Sequence, residues 1–187
     1  MTKLLEEKIL SSNTVSNPGR VLYLTSSGLE FWNGPGKDGL KAQIPPETRK
    51  YHPFFGYILT KSLNTLTARE QQRRWKGKSA IAMSLNPGLV GGLTGGGGPN
   101  MLKEAGAIEG AFYGWPFAHA QRSKEYGAAT TIHTALAPEV VDEVRSGVTY
   151  YNNYEPTVPG AFSTHPEWFG EEIAKEAWER TVKVLRA

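Results

Sequence analysis

The chain has 187 residues, 39% hydrophobic and 21% charged, with a formal net charge of +3, proportions that describe one globular domain over 1–187 and exclude a disordered tail or a fibre. No run approaches the roughly 18–20 apolar residues of a membrane-spanning helix, and the opening MTKLLEEKIL is too charged for a signal peptide, so a cytoplasmic location is expected. The absence of cysteine removes disulfides, thiolate nucleophiles and Cys-ligated zinc.

In chain order, residues 3–10 predict the tail of an amphipathic helix, and the turn formers of SNTVSNPG a loop behind it. The run VLYLT, 21–25, predicts a strand buried on both faces, of the kind found inside parallel sheets. Residues 28–53 hold Gly34, Pro35, Gly36, Gly39, Pro45, Pro46 and Pro53 and predict a long irregular connection. From Pro53, the spacing of Phe55, Leu59, Leu63 and Leu66 predicts a helix packed on a sheet. Its basic end, Arg73, Arg74, Lys76 and Lys78 with Gly77 as the stop, suits a helix C-terminus. Ala80 to Leu85 predicts a second buried strand closed by Asn86-Pro87-Gly88. Strand, helix, strand in that order implies a right-handed parallel crossover. The glycine-rich stretch 91–118, with Phe112, Tyr113, Trp115 and Phe117, predicts a flexible flap with apolar contacts. Ala128–Ala137 predicts a short helix stopped by Pro138, Val148–Tyr151 a third strand, and Pro166 onward a terminal helix marked by Phe169, Ile173, Ala177 and Val184 with Trp178, Val182 and Leu185.

In open parallel sheets, ligands bind beyond the carboxyl ends of the strands. The first such end delivers Ser26 and Ser27, the second Asn86-Pro87-Gly88. The helix between them carries Tyr57, Lys61 and Asn64 at i, i+4 and i+7, on one face and distinct from its leucine stripe. An ammonium beside a phenol favours the phenolate and draws a reference pKa of about 10 toward neutrality. Such a phenol can exchange a proton with an alcohol or carbonyl oxygen, and a serine hydroxyl on the opposite wall can hold that oxygen. Alone, a Tyr-x-x-x-Lys match also reads as a half-exposed tyrosine near a solvated lysine.

The arrangement of segments resembles a known family, the short-chain dehydrogenases/reductases, closest to its retinol-dehydrogenase-like branch. RVLYLTSS (20–27) is similar to the strand that ends in the family's catalytic serine. YILTKSLN (57–64) resembles its Tyr-x-x-x-Lys helix, SLNPGLV (84–90) its strand followed by Pro-Gly, and YGAATTIHTALAPEV (126–140) the helix before its last strand. The resemblance implies Tyr57 as acid/base, Lys61 as the residue that tunes it and holds the nicotinamide ribose, and Ser26, with Ser27 as alternative, as stabiliser of the carbonyl oxygen. Pro87, Gly88 and Leu89 would line the nicotinamide. The activity implied is carbonyl/alcohol interconversion with NADP or NAD, the flap closing over a small-molecule substrate. A bulky apolar carbonyl in a biosynthetic pathway suits its aromatic residues.

By the same resemblance, the fold class expected is α/β, a partial Rossmann-like parallel sheet with flanking helices that lacks the N-terminal dinucleotide-binding βαβ half. The one GxGxxG match, Gly34, Gly36 and Gly39, leads into LKAQIPPETRK, where no helix can start, so the phosphate-binding geometry is missing. An edge left open along strand 21–25 would invite an oligomer or partner strand, and weak cofactor affinity is expected of the isolated chain. The alternative reading is a catalytically inactive reductase-like fragment acting through a partner. His52, His119, His133 and His165 lack paired ligand spacing, so no metal site is expected. The basic patch from Arg69 to Lys78, Trp75 included, reads as a solvated helix end rather than a nucleic-acid surface.

Overall fold

The computed structural model describes residues 2–31, 53–88, 90, 122–159 and 166–186. Four strands, Gly19–Leu24 (β1), Ala80–Asn86 (β2), Tyr150–Asn152 (β3) and Glu155–Pro156 (β4), form one sheet in the order β1-β2-β3-β4. The first three are parallel, with Gly19 opposite Ala80 and Ser84 opposite Tyr150, and β4 returns antiparallel to β3. The helices are Thr2–Ser11 (α1), Pro53–Arg74 (α2), Lys124–Leu136 (α3), Glu139–Ser146 (α4) and Glu171–Arg186 (α5), with 3-10 turns at Ser27–Phe31 and Pro166–Phe169. α2 connects β1 to β2, and α3 with α4 connects β2 to β3, so the described residues form an α/β fold compatible with a Rossmann-like sheet. No helix among them is long and apolar enough to cross a membrane.

Alternation along β2 sorts the core into two layers. Ile81, Met83 and Leu85 pack with Val140, Val144 and Tyr151 under α4. Ala80 and Ala82 face the other way, against Trp75 at the end of α2, where Ile9 and Leu10 of α1 close the cluster. On that same side, Leu59 and Leu66 of α2 meet Tyr150, and Ala174 and Ala177 of α5. All seven residues of β2 are buried, so Ile81, Met83 and Leu85 each add about 1.5–3 kcal/mol. β3 begins opposite Ser84, which leaves the Ala82 N–H beyond its reach. The Gln72 side chain accepts that bond at 2.8 Å, so a helix residue finishes the strand's hydrogen bonding.

Several expectations shift. Strand 21–25 was expected to be buried on both faces, but β1 runs from 19 to 24 with half-buried residues and an exposed Leu24. Gly19 N–H and Thr25 N–H point at β2, donating to Ser79 O and Leu85 O at 2.9 and 2.8 Å. Alternate residues of a parallel strand face opposite edges, so Arg20, Leu22 and Leu24 turn their backbone away from β2, and no described strand pairs with them. The helix expected at 128–137 starts earlier, at Lys124, because Ser123 caps it by accepting from Tyr126 N–H at 3.2 Å. Gly127 weakens the helical pattern for a packing reason: a Cβ there would lie 2.2 Å from Val90 Cγ2. The helix does stop before Pro138, as expected, ending at Leu136 with Ala137 as its cap, but Pro138 itself sits in helical conformation at the entrance to α4, a helix not expected from the sequence, where its missing N–H costs nothing. The terminal helix starts at Glu171, after the separate 3-10 turn from Pro166. The flap 91–118, the glycines of 34–39 and Leu89 lie outside the described residues.

Candidate functional site

β1 ends at Leu24 and runs through Thr25, whose N–H and hydroxyl both bond Leu85 O, at 2.8 and 2.9 Å. That double anchor fixes where the next residues leave the sheet. Ser26 follows, half-buried. Its Oγ accepts from Gly28 N–H at 3.2 Å and its carbonyl from Leu29 N–H at 3.2 Å, an ST turn that opens the 3-10 segment. Because the Oγ lone pair is engaged by a backbone donor, the hydroxyl proton is free to donate to a ligand oxygen. Ser27 lies one residue further, inside the 3-10 turn. The turn is pressed on α2, since a Cβ on Gly28 would stand 3.1 Å from Ile58 Cγ1.

α2 places Tyr57 next to that turn, adjacent in sequence to Ile58. Ile58 and Leu59 are buried, whereas Tyr57 is 38% exposed, so its ring reaches solvent. Lys61 lies one helical turn on, with its Nζ 5.5 Å from the Tyr57 ring centroid, within cation–π range. The same ammonium donates to Leu24 O at 3.4 Å, and Asn64 Nδ2 donates to that oxygen at 3.0 Å. The polar stripe of α2 is therefore tied to the carboxyl end of β1, and Tyr57, Lys61 and Asn64 share one face as their spacing requires. Thr60, between them, turns back to Tyr57 O at 2.7 Å.

The second strand end is more enclosed. Asn86, buried, accepts from Gly88 N–H through Oδ1 at 3.0 Å and donates through Nδ2 to Asn152 Oδ1 at 3.0 Å. Its carbonyl accepts from Asn153 N–H at 3.2 Å. Pro87 and Gly88 complete an Asx turn, with Gly88 at φ +80°, a conformation open to glycine. A Cβ on Gly88 would also lie 2.6 Å from Asn153 Oδ1. Asn153 and Tyr154 hold positive φ, 51° and 75°, and Arg122 Nη1 donates to Asn153 Oδ1 at 3.0 Å. Ser26, Tyr57, Lys61, Pro87 and Gly88 thus all fall at the carboxyl ends of adjacent parallel strands. Arg122, Asn152 and Asn153 were not singled out in the sequence; the one available signal was the Asn-Asn pair beyond a strand, a turn-forming dipeptide.

In open parallel sheets ligands bind beyond the carboxyl ends of the strands, and among the described residues that is where Ser26, Pro87 and Gly88 lie, with Lys61 tied to Leu24 O. Comparison with known proteins supports the short-chain dehydrogenase/reductase family for this chain. Over 189 residues, 98% of its length, the chain is 30% identical to the "Short-chain dehydrogenase/reductase prx1" of Penicillium roqueforti, of which it covers 52%. The protein of that name from Penicillium rubens is also 30% identical, over 98% of this chain and 52% of its own length. A "WW domain-containing oxidoreductase" of Drosophila melanogaster is 30% identical over 137 residues, 72% of this chain and 30% of that protein. The chain spans about half the length of the fungal relatives it matches. No family model matches it, and no solved structure matches it significantly. The oxidoreductase names do not favour the inactive-fragment alternative.

The residues present fit one end of a nicotinamide cofactor. Lys61 has three donors and gives one to Leu24 O, which leaves others for ribose hydroxyls. Gly88 lets the backbone turn tightly at the neighbouring strand end, where a nicotinamide ring would lie.

Proposed function

We propose that this chain carries the catalytic part of an NAD(P)-dependent oxidoreductase of the short-chain dehydrogenase/reductase type, corresponding to the C-terminal half of that fold and working as one cytoplasmic domain. The observation that supports it most is the Tyr57–Lys61 pair, an ammonium 5.5 Å from a half-exposed phenol ring at the strand end that also delivers Ser26.

Pro87, Gly88 and, by the resemblance, Leu89 would hold a nicotinamide cofactor, which would supply or accept the hydride. In the reducing direction Tyr57 Oη gives its proton to the substrate oxygen as the carbonyl carbon is reduced, and the C=O bond becomes an alcohol. Ser26 Oγ donates a hydrogen bond to that oxygen and holds it in place; Ser27 is the alternative donor. Lys61 stabilises the negative charge left on Tyr57 and binds ribose hydroxyls. Oxidation of an alcohol runs the same proton path in reverse. The aromatic residues between 112 and 117 favour a bulky apolar carbonyl of a biosynthetic route. The open edge of β1 is where a further strand, from an oligomer or partner, would pair.

Y57F and K61M should each lower NAD(P)H-dependent reduction of a carbonyl panel by roughly 10²–10⁴-fold, with the fold retained by circular dichroism. Unchanged rates in both variants would remove this reading. Comparing NADH with NADPH in the same assay assigns the cofactor.

A further inference from the structure

The turn after β2 is held by groups far away in sequence, and their arrangement gives Arg122 a task. Its backbone forms a parallel bridge with Val90, which seats the entrance of α3 against the chain leaving β2. Gly127, one turn into α3, is buried directly beneath Val90. The Arg122 guanidinium lies 4.5 Å from the Tyr126 ring centroid, and its Nη1 donates to Asn153 Oδ1 at 3.0 Å. That oxygen occupies the space a side chain on Gly88 would need, 2.6 Å from the Cβ position, and Arg122 Cδ is only 3.5 Å from the same point. Asn153 in turn donates through its Nδ2 to Asn152 Oδ1 at 2.9 Å, the oxygen that also receives Asn86 Nδ2. The chain Arg122–Asn153–Asn152–Asn86 thus closes around the Asn86-Pro87-Gly88 turn from both sides. Asn153 meets this geometry in the left-handed region, at φ 51°. That conformation is unfavourable for most side chains but accessible to asparagine, and here the hydrogen bonds around it compensate.

We infer that Arg122 is a positioning residue: through Asn153 it fixes the Asn86-Pro87-Gly88 turn, and this fixed turn is what gives the nicotinamide end of the cofactor a rigid seat. The inference rests on the function proposed above, and it assigns its cofactor affinity to a residue outside the Ser26, Tyr57 and Lys61 group. A guanidinium suits the task because its planar fork stacks on Tyr126 while one arm reaches Asn153, which an ammonium cannot reproduce.

The test combines R122A, R122K, N153G and the R122A/N153G double variant on the full chain. N153G removes the Oδ1 acceptor while keeping a residue at ease with positive φ, so it guards against a general folding defect. Hydrogen exchange followed by mass spectrometry or NMR reads the clamp directly. R122A and N153G should each raise exchange in the segment 86–90 by about tenfold with the β2 core amides unchanged, and the double variant should add little to either. NADPH fluorescence titration reads the consequence. Affinity should fall about tenfold in R122A and N153G, R122K should recover only part of it, and turnover at saturating cofactor should stay within about threefold of the parent. Unchanged exchange in 86–90 would overturn the clamp. Raised exchange with unchanged NADPH affinity would overturn the positioning role while leaving the proposed reaction standing. A parent chain that binds neither NADPH nor NADH would overturn the proposed reaction, and with it the cofactor-seating role, whatever the exchange data show for the clamp.

Discussion

The two ends of α2 show what a polar residue does when it is left in reach of solvent and when it is buried. Toward the N-terminus, Tyr57 is half-exposed and Lys61 partly so, with the Lys61 ammonium turned to the end of β1. Toward the C-terminus, Glu70 and Gln71 are 1% exposed, and Gln72 and Trp75 are buried with them. There Glu70 receives Arg73 through two hydrogen bonds of 2.7 and 2.8 Å and Arg74 through one of 2.8 Å. Tyr23 donates to Gln71 at 3.3 Å, Gln72 accepts from Ala82 N–H, and Trp75 Nε1 donates to Glu6 at 2.8 Å. Polar groups at that end hold α1, β1, β2 and the helix together. At the other end similar groups stay in reach of solvent, and burial alone divides the helix into two regions.

This contrast can be broken or sharpened by substitution. On the proposed function, the largest effects should come from the end that carries Tyr57 and Lys61 and leave stability almost untouched: K61M and Y57F should cost roughly 10²–10⁴ in turnover while shifting unfolding free energy by less than about 0.5 kcal/mol, checked by rates and urea titration side by side. Trp75→Ala should do the reverse, destabilising the chain by about 3–5 kcal/mol through loss of the packing with Ala80 and Ala82, read as a fall in the urea midpoint. Gln72→Ala strands the buried Ala82 N–H and should cost about 1–3 kcal/mol in the same titration.

Glu70 supplies a pH signature. Its hydrogen bond to Arg73, against an opposing desolvation, and then the charges of Arg73 and Arg74, hold its carboxyl below the ordinary value of 4.5. A carboxylate favoured in the folded state stabilises fully above its unfolded pKa, and that contribution fades as pH falls through the lower folded value. Unfolding free energy should therefore decline below about pH 4.5, and E70Q should flatten that decline. The two arginines are half-exposed, so solvent screening keeps this the smallest of the four effects. A decline of equal slope in E70Q would detach Glu70 from it.

Much of the frame was legible in the sequence because local pattern and final burial agree. The apolar run that became β2 is buried throughout, and the leucines of α2 that were read as a stripe do face the core. The chemical stripe of Tyr57, Lys61 and Asn64 was readable for the same reason, since helical spacing alone puts them on one face. Trp75 looked like an aromatic within a basic surface, yet it is core, and that removes the stacking face a nucleic-acid reading would need. α4 was missed because Pro138 reads as a stop when it stands after a helix and as a start when it stands before one; sequence pattern does not choose between them. The Arg122 clamp was invisible for a different reason. Its bonds join residues 31 and 66 positions apart, and nothing periodic links such partners until the parallel crossovers bring the strand ends side by side.

The Gln72 amide has a consequence for how this architecture tolerates change. By standing in for a neighbouring strand at Ala82, it relieves the segment before Thr149 of any duty to pair there, and since Thr149 O accepts from Ser84 N–H at 2.9 Å, only length variation ahead of Thr149 should leave the sheet's central ladder intact. The constraint moves to a helix side chain instead: Glu would bury a charge at that place, and Lys would set a donor against a donor. Freedom in a loop has been exchanged for strictness at one glutamine.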